Sequence, residues 1–216
     1  MKKTSSLILL SLFVLTAYAQ TVTIGTQVWM SKNLDVSTFR NGDAIPEAKT
    51  PLEWSRAARY QEPAWCYYEN NATNKTKYGK MYNWYAVNDP RGLAPSGYHI
   101  ASDSEWDVLT NLLRGVAEGF GSLAGKKMKS TTGWDLYVGP KGNGTNSSGF
   151  CGLPGGYRTN QGEFFDIGIN GIWWSSTQDE YSPSKAGELF LSSVDVGVTS
   201  NSEDKGYGFS VRCIKD

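Results

Sequence analysis

Residues 149–177 decide the fold, and they read GFCGLPGGYRTNQGEFFDIGINGIWWSST. Glycine recurs throughout this stretch, and each glycine inside a helix would cost about 1 kcal/mol relative to alanine. The stretch therefore predicts short buried strands joined by tight glycine turns, with aromatic side chains filling the core between them. We expect positive φ angles among the glycines at Gly152, Gly155, Gly156, Gly168 and Gly171.

The adjacent tryptophans of this stretch, Trp173 and Trp174, allow two interpretations. Successive side chains of a strand point to opposite faces. One indole should then be buried, while the other could face outward and stack on a sugar ring. The terminal segment 206–216, GYGFSVRCIKD, has a similar composition and is expected to pair nearby. Besides one of the two tryptophans, the predicted core contains Trp106, Phe150 and Phe209.

The first 19 residues have the organisation of an export signal. Two lysines precede the apolar run 7–16, and residues 17–19, AYA, fit a small-x-small cleavage site. We therefore expect cleavage after Ala19 and a mature chain that begins at Gln20, secreted, periplasmic or held at the cell surface. The apolar run is shorter than the roughly 20 residues that a membrane-spanning helix needs, and no later segment predicts a span.

Composition narrows the partners and the fold. The chain has 216 residues with 21 basic and 21 acidic side chains. Without a basic block, this balance argues against nucleic acid or an anionic membrane as partner. The length suits one domain, from residue 20 to 216. The 13% of aromatic residues and the 24 glycines favour a loop-rich exported domain over a helical bundle.

Two helices and several strands can be placed along the chain. Thr50-Pro51 and Glu53 have the N-terminal signals of a helix that runs to about Arg59, and Ser102 with Glu105 forms a capping box for a helix over 102–114. Residues 21–34 predict a hairpin that turns at Gly25-Thr26. Two further strands are predicted at 188–191 and 194–198.

Several phrases of the sequence resemble one family, the Fibrobacter succinogenes major paralogous domain, which is common in exported proteins of Bacteroidetes and Fibrobacteres. They are TVTIGTQVWMSKNL (21–34), GKMYNWYAV (79–87), RGLAPSGYHIASDSEW (91–106), LPGGYR (153–158), GIWWSST (171–177) and GFSVRC (208–213). More distantly, GYHIASDSEW and SVRC are similar to the formylglycine-generating (sulfatase-modifying) enzymes. Both groups are associated with the C-type-lectin-like fold. The resemblance thus implies an α+β domain with a small twisted, mostly antiparallel sheet, two helices and long irregular loops.

The three cysteines, Cys66, Cys151 and Cys213, have neither CxxC spacing nor ligand-like clustering, which argues against structural zinc. If the stretch from residue 150 pairs with the terminal strand, Cys151 and Cys213 could form a disulfide, with Cα atoms within about 7 Å. Cys66 would then be a buried free thiol. Many relatives have a cysteine where Ala94 stands, and some have one near Lys75, so the family's usual pairings are in doubt here.

Few residues point to catalysis or to a cofactor. His99 is the only histidine, which removes most metallohydrolase designs and weakens any Ser-His-Asp site; we expect it to be structural. Arg158 and Arg212 are expected to bond internal carbonyls or carboxylates. No cofactor is predicted. Structural calcium has candidate carboxylate ligands, but we favour their interpretation as solvated loop acids: Glu163, Asp166, Asp179, Glu180, Glu188 and Asp195.

Three functions are compatible with these features. We favour an exported, non-catalytic binding module that presents its loops, 137–149, 178–187 and 201–205, to a glycan or a surface protein. A formylglycine-generating-type oxidase would need two cysteines that hold copper, and the family's pattern is missing around Cys151 and Cys213. A purely structural cell-surface protein is the third alternative. The expected ligand-binding residues are Tyr181, Asp179, Glu180 and Asn201.

Overall fold

The computed structural model describes residues 20–115, 122–135 and 142–216. The predicted signal peptide at 1–19 lies outside the described residues, as does the 137–141 part of the expected 137–149 loop. Within the described ranges, no helix is long and apolar enough to cross a membrane.

The described chain contains both helices and strands, and its last six strands follow one another without a helix, as expected for an α+β domain. Two helices exceed two turns and three are single turns: α1 (Pro51–Tyr60), α2 (Lys75–Tyr78), α3 (Trp84–Val87), α4 (Asp103–Leu113) and α5 (Ala124–Met128). The strands are β1 (Thr21–Ile24), β2 (Gln27–Met30), β3 (Trp65–Cys66), β4 (Met81–Tyr82), β5 (Tyr98–Ile100), β6 (Gly155–Arg158), β7 (Phe164–Ile167), β8 (Asn170–Gln178), β9 (Lys185–Ser192), β10 (Thr199–Asp204) and β11 (Cys213–Lys215).

The first sheet joins the two ends of the described chain. Its strand order is β1-β2-β11-β5, and every pair in it is antiparallel. The predicted hairpin of β1 and β2 is confirmed, and Gly25 has a φ of 61° at its turn. Ile214 of β11 lies opposite Trp29 on one side and opposite His99 on the other. The terminal strand is therefore an inner strand of this sheet.

The second sheet is built mainly from the glycine-rich stretch. Its order is β10-β9-β8-β6-β7, with one parallel pair between β6 and β8. Gly156 and Gly168 have φ angles of 65° and 81°, which confirms positive φ within this stretch. A Cβ atom at Gly156 would collide with the carbonyl oxygen of Phe165, so only glycine lets the two strands approach so closely.

Both tryptophans of the pair are fully buried, which confirms the predicted burial of one of them and excludes the alternative that the other faces outward. β8 is the inner strand of the second sheet, and both of its faces are covered. Trp173 packs against Phe150 on one face, with ring centroids 5.6 Å apart. Trp174 packs against Phe209 on the other, at 4.4 Å. Alternation does send the two indoles to opposite faces, but neither face meets solvent.

The terminal segment pairs with the glycine-rich stretch, as predicted, and also bridges to β4. Isolated bridges join Gly208 to Arg158, Phe209 to Tyr82, and Ser210 to Trp173. The two-stranded sheet of β3 and β4 is attached in this way to the second sheet. Phe209 is buried in the same cluster as Trp174, which agrees with its predicted core position.

The two predicted helices are confirmed, each with its capping box. Thr50 accepts a hydrogen bond from the amide of Glu53, whose carboxylate accepts from the amide of Thr50. Ser102 and Glu105 form the corresponding box at α4. Trp106 is buried on the inner face of α4 and contacts the ring of Trp29 at 4.6 Å. Burial of Trp106 and Phe150 in one aromatic cluster agrees with the predicted core.

One predicted strand is misplaced. Residues 194–198 form a turn, and the strand follows it at β10. The side chain of Asp195 accepts a hydrogen bond from the amide of Gly197, and such local bonding favours a turn over a strand. The valines at 194, 196 and 198 alternate as in a strand, which is why the sequence predicts a strand at this place.

The two predicted internal arginines are confirmed, and both are fully buried. Arg158 donates to the carbonyl oxygens of Ala48 and Gly162. Arg212 donates to the carbonyls of Met30 and Phe150, and to the side-chain oxygen of Asn33. Each guanidinium thus ties together segments that are distant in sequence.

The predicted disulfide between Cys151 and Cys213 is not formed, since all three cysteines are free thiols. The side chain of Arg212 reaches the carbonyl oxygen of Phe150, beside Cys151. Cys213 follows Arg212 along an extended segment and therefore points the opposite way. It is buried in another cluster, with Tyr82 and Ile100.

Candidate functional site

A row of partly exposed aromatic rings lies at one edge of the second sheet. Tyr157 of β6 stacks on Tyr207, with ring centroids 6.1 Å apart and an angle of 20° between the rings. Phe165 of β7 continues the row 5.8 Å from Tyr157 and is 43% exposed. Beneath them Phe209 contacts both tyrosines, at 6.3 and 5.9 Å. These rings present an apolar platform whose base is fixed in the core.

Carboxylates stand beside this platform. Glu203 of β10 is close enough to influence the pKa of Tyr157 and of Tyr207, and its charge also acts on Glu188 of β9. Glu188 pairs with Trp174 of β8 on one side of β9 and with Asn201 of β10 on the other side. We call Tyr157, Phe165, Tyr207, Glu188, Asn201 and Glu203 the tyrosine face.

Glu188 is the unusual member of the tyrosine face. It is only 8% exposed, and one of its oxygens, Oε2, has no hydrogen-bond partner in the described chain. Burial raises the pKa of Glu188 to about 7, against the lowering effect of its hydrogen bond with Asn201. The expectation of a solvated loop acid at this position is therefore wrong. At neutral pH the carboxyl can serve either as a hydrogen-bond donor or as an acceptor.

The predicted ligand-binding residues are divided between a loop and a strand. Tyr181 is 94% exposed on the loop between β8 and β9. Asp179 accepts hydrogen bonds from the amides of Tyr181 and Ser182, and also bonds the side chain of Ser202. Glu180 is exposed beside them. The structure thus brings Tyr181, Asp179 and Glu180 together at one end of β10.

Asn201 does not belong to a loop, contrary to expectation. It lies in β10, where its hydrogen bond to Glu188 crosses the ladder between β9 and β10. The loop expected at 201–205 is therefore mainly strand. The next residue, Ser202, bonds Asp179, but successive side chains of a strand point to opposite faces, so this bond lies on the other face of β10.

Sequence reasoning did not identify Tyr157, Tyr207, Phe165 or Glu203 as site residues. Tyr157 and Phe165 belong to the glycine-rich stretch and were assigned to its core. A signal for Glu188 was present, however. Ala186, Glu188 and Phe190 alternate along β9, so a carboxylate stands in line with residues of the core.

His99, which we expect to be structural, is held between two carboxylates. Its two ring nitrogens lie 2.6 Å from Glu105 Oε1 and 2.7 Å from Asp216 Oδ1. Partial burial lowers the pKa of His99, but the hydrogen bonds to Asp216 and Glu105 outweigh it, so the net pKa is raised. Ser102 bonds the carboxylate of Glu105 and not the imidazole. A catalytic triad needs the histidine between the serine and the acid, and this order is not met.

The carboxylates considered for calcium do not converge. In the described ranges, no three side chains among His, Cys, Asp and Glu are grouped as a metal site requires. Asp166 accepts a hydrogen bond from the side chain of Asn170, and Asp195 from the amide of Gly197. Glu163 is exposed next to the turn that follows β6.

A second concave surface lies away from the tyrosine face. It is a cleft of about 660 Å³. Its wall contains Lys32, Lys75, Lys77 and Cys151, and its floor contains Arg212. None of its lining residues belongs to the tyrosine face.

Comparison with known proteins identifies the domain. The model of the Fibrobacter succinogenes major domain matches residues 22–215, which is nearly the whole chain. No curated protein and no solved structure matches the chain. Apart from Thr21, the first residue of β1, the match contains all eleven strands described above. The chain therefore belongs to the Fibrobacter succinogenes major domain family.

Proposed function

We propose that this chain is an exported, non-catalytic binding module that holds a glycan on the tyrosine face. The observation that carries the proposal is the buried carboxyl of Glu188, whose Oε2 atom has no partner, beside a platform of aromatic rings. A buried polar atom without a partner costs about 1–3 kcal/mol. A ligand hydroxyl that bonded this oxygen would recover that cost.

The chemistry of the tyrosine face suits a sugar ring. The faces of a pyranose that carry C–H bonds pack on aromatic rings, as Tyr157, Tyr207 and Phe165 offer. Hydroxyl groups of the sugar can donate to Glu203 and Glu188, and accept from the amide of Asn201. Tyr181, on the neighbouring loop, can extend the contact to a second sugar unit.

We further propose that the fold is C-type-lectin-like. The inner position of β11 next to β2 supports this, since it brings the two ends of the described chain into one sheet. The long connection between β5 and β6 also supports it, because the helices α4 and α5 are the only named elements among its described residues. In such a scaffold the sheets fix the loops that recognise a partner.

The cysteines favour binding over copper-dependent oxidation. Burial raises the pKa of Cys66 and of Cys213 to about 12, so both are protonated at neutral pH and poor ligands. They also pack in different hydrophobic clusters, whereas a copper-holding pair would have to meet. A purely structural surface protein would have no need for an unpaired buried carboxyl.

A glycan array followed by calorimetry tests the proposal. The mature protein should bind at least one neutral oligosaccharide, and Tyr207→Ala should weaken that binding about tenfold, in the range of one lost stacking contact. Tyr60→Ala is the matched control, because Tyr60 is an exposed tyrosine on α1, outside the tyrosine face. Tyr181→Ala should weaken binding only two- to threefold, on the order expected of an exposed rim contact.

Two results would overturn the proposal. One is the absence of any neutral glycan bound at millimolar concentration. The other is binding that Tyr207→Ala leaves intact in a protein with wild-type thermal stability. Capture of a protein partner that Tyr207→Ala does not disturb would also place recognition elsewhere.

A further inference from the structure

The cleft of about 660 Å³ is large enough for a ligand of one or two sugar rings or of similar size. It is bounded by the segment after β2, by α2 and by the turn around residues 146–153. Its lining comes from parts of the chain that are far apart in sequence, so the cleft exists only in the folded domain.

The wall of this cleft is basic. Lys32, Lys75 and Lys77 line it and are exposed. Among the described residues that line the cleft, Asp35 is the one carboxylate. Asp35 is already engaged, at 2.6 Å, by the buried ammonium of Lys80, and Lys75 lies 3.8 Å away. The lysines of the wall therefore exceed the negative charge that is available to them.

A further cation lies at the floor. Arg212 is fully buried, and its described hydrogen-bond partners are the neutral oxygens of Met30, Phe150 and Asn33. Burial lowers the pKa of Arg212 to about 9, which still leaves it charged at neutral pH. A buried cation without a carboxylate partner is weakly screened by solvent, so its field extends into the cleft.

We propose that this cleft is a second binding site, which takes the oxyanion of a carboxylate- or sulfate-bearing ligand. The exposed ammonium groups of Lys75 and Lys77 make the direct contacts, while Arg212 attracts the anion from below without touching it. Asn146 lines the same wall and can donate a hydrogen bond from its side-chain amide, whose oxygen is already bonded to the amide of Cys151. The proposal does not depend on the tyrosine face, with which the cleft shares no residue.

Cys151 provides a chemical probe of the charge and the occupancy of the cleft. It is a half-buried free thiol that lines the cleft, whereas Cys66 and Cys213 are buried. At pH 8 a disulfide reagent should therefore react first at Cys151. The thiolate attacks one sulfur of the reagent, a mixed disulfide forms, and one equivalent of the reagent's thiolate leaves and is counted by its absorbance.

The experiment compares the dianionic reagent 5,5′-dithiobis(2-nitrobenzoate) with the neutral 4,4′-dithiodipyridine. Relative to free cysteine, the cleft should accelerate the dianion over the neutral reagent about tenfold at low salt, and 0.5 M NaCl should remove most of this preference. Lys75→Gln with Lys77→Gln should lower the preference at least threefold. The matched control, Lys49→Gln with Lys215→Gln, removes two exposed lysines outside the cleft and should leave it unchanged.

Competition separates the two oxyanion chemistries. Digalacturonate and inorganic sulfate are each added at constant ionic strength, with maltose as the neutral control. Protection of Cys151 by digalacturonate alone assigns a carboxylate ligand, and protection by sulfate alone assigns a sulfate ligand. Calorimetry with the same compounds measures the heat of binding directly, and this heat should disappear in the Lys75→Gln, Lys77→Gln variant.

The proposal fails if neither anion protects Cys151 beyond the effect of NaCl and calorimetry detects no binding. It also fails if both lysine variants behave alike. Tyr207→Ala should alter neither the reagent preference at Cys151 nor the calorimetric signal of the anions. Failure of the cleft proposal therefore leaves the proposed glycan function unaffected, and failure of the glycan proposal leaves the cleft proposal unaffected.

Discussion

Replacement of Glu188 by glutamine should make the domain more stable at alkaline pH. The carboxyl of Glu188 has a pKa of about 7 in the folded protein, against a reference value of 4.5. A raised pKa means that the folded state binds the proton more tightly than the unfolded state does. Ionisation of Glu188 therefore opposes folding, and the stability of the wild type falls as the pH rises from about 4.5 to about 7.

The size of the effect follows from these two values. One pKa unit corresponds to about 1.4 kcal/mol, so the full penalty above pH 7 is roughly 3 kcal/mol. At pH 5 less than about 1 kcal/mol of it has developed, because this pH is only about half a unit above the reference pKa of the carboxyl while the folded carboxyl is still protonated. The advantage of Glu188→Gln over the wild type should therefore grow by roughly 2–3 kcal/mol between pH 5 and pH 8.

Urea unfolding of both proteins at pH 5 and pH 8 measures this difference. Glutamine keeps the shape of the side chain, and any fixed cost of its amide cancels when the two pH values are compared. Glu62→Gln, at an exposed carboxylate, serves as the control and should show no such growth. If the advantage of Glu188→Gln changes by less than about 0.5 kcal/mol, Glu188 is not held in a desolvated site and the argument for its unpaired oxygen falls.

Three further outcomes are expected. Trp106→Ala should cost about 3–5 kcal/mol in urea unfolding, because the buried ring leaves a cavity beside Trp29; a loss under 1 kcal/mol would place α4 outside the core. Asp179→Ala should lower the melting temperature through the lost turn bonds, whereas Tyr181→Ala should leave it unchanged; equal effects would contradict this. The NMR titration midpoint of His99 should lie above 6.5. The stabilisation that protonated His99 supplies should be lost as the pH rises through that midpoint. A midpoint below 6.5 would mean that burial outweighs the hydrogen bonds to Asp216 and Glu105.

Local signals made much of the fold predictable. The capping boxes at Thr50 and Ser102 involve residues three positions apart, so the sequence contains everything that their geometry needs. The hairpin at Gly25 is local in the same sense. Non-local packing was harder to foresee. Alternation correctly separated Trp173 from Trp174, but whether a face is covered depends on segments such as Phe209, which lie far along the chain.

The candidate site was predictable only in part. Exposure of Tyr181 follows from its polar loop, and this prediction is confirmed. The tyrosine face, by contrast, is assembled across β6, β7, β9 and β10, and the register between strands decides which side chains meet. The sequence alone does not show that Asn201 lies opposite Glu188 in the ladder, so it does not distinguish Glu188 from a solvated loop acid. The charge of the cleft likewise depends on α2 lying near Arg212.

The inner position of β11 has a consequence for the order of folding. Ile214 pairs with Trp29, so the first sheet joins residues that are nearly the whole chain apart. Domains rich in such long-range contacts fold slowly, because the entropy of closing a large loop is lost before the stabilising contacts form. Until residues 213–215 have been synthesised, β2 has an open edge that can pair with other chains. Folding of the first sheet is therefore completed only when this last strand is inserted between β2 and β5.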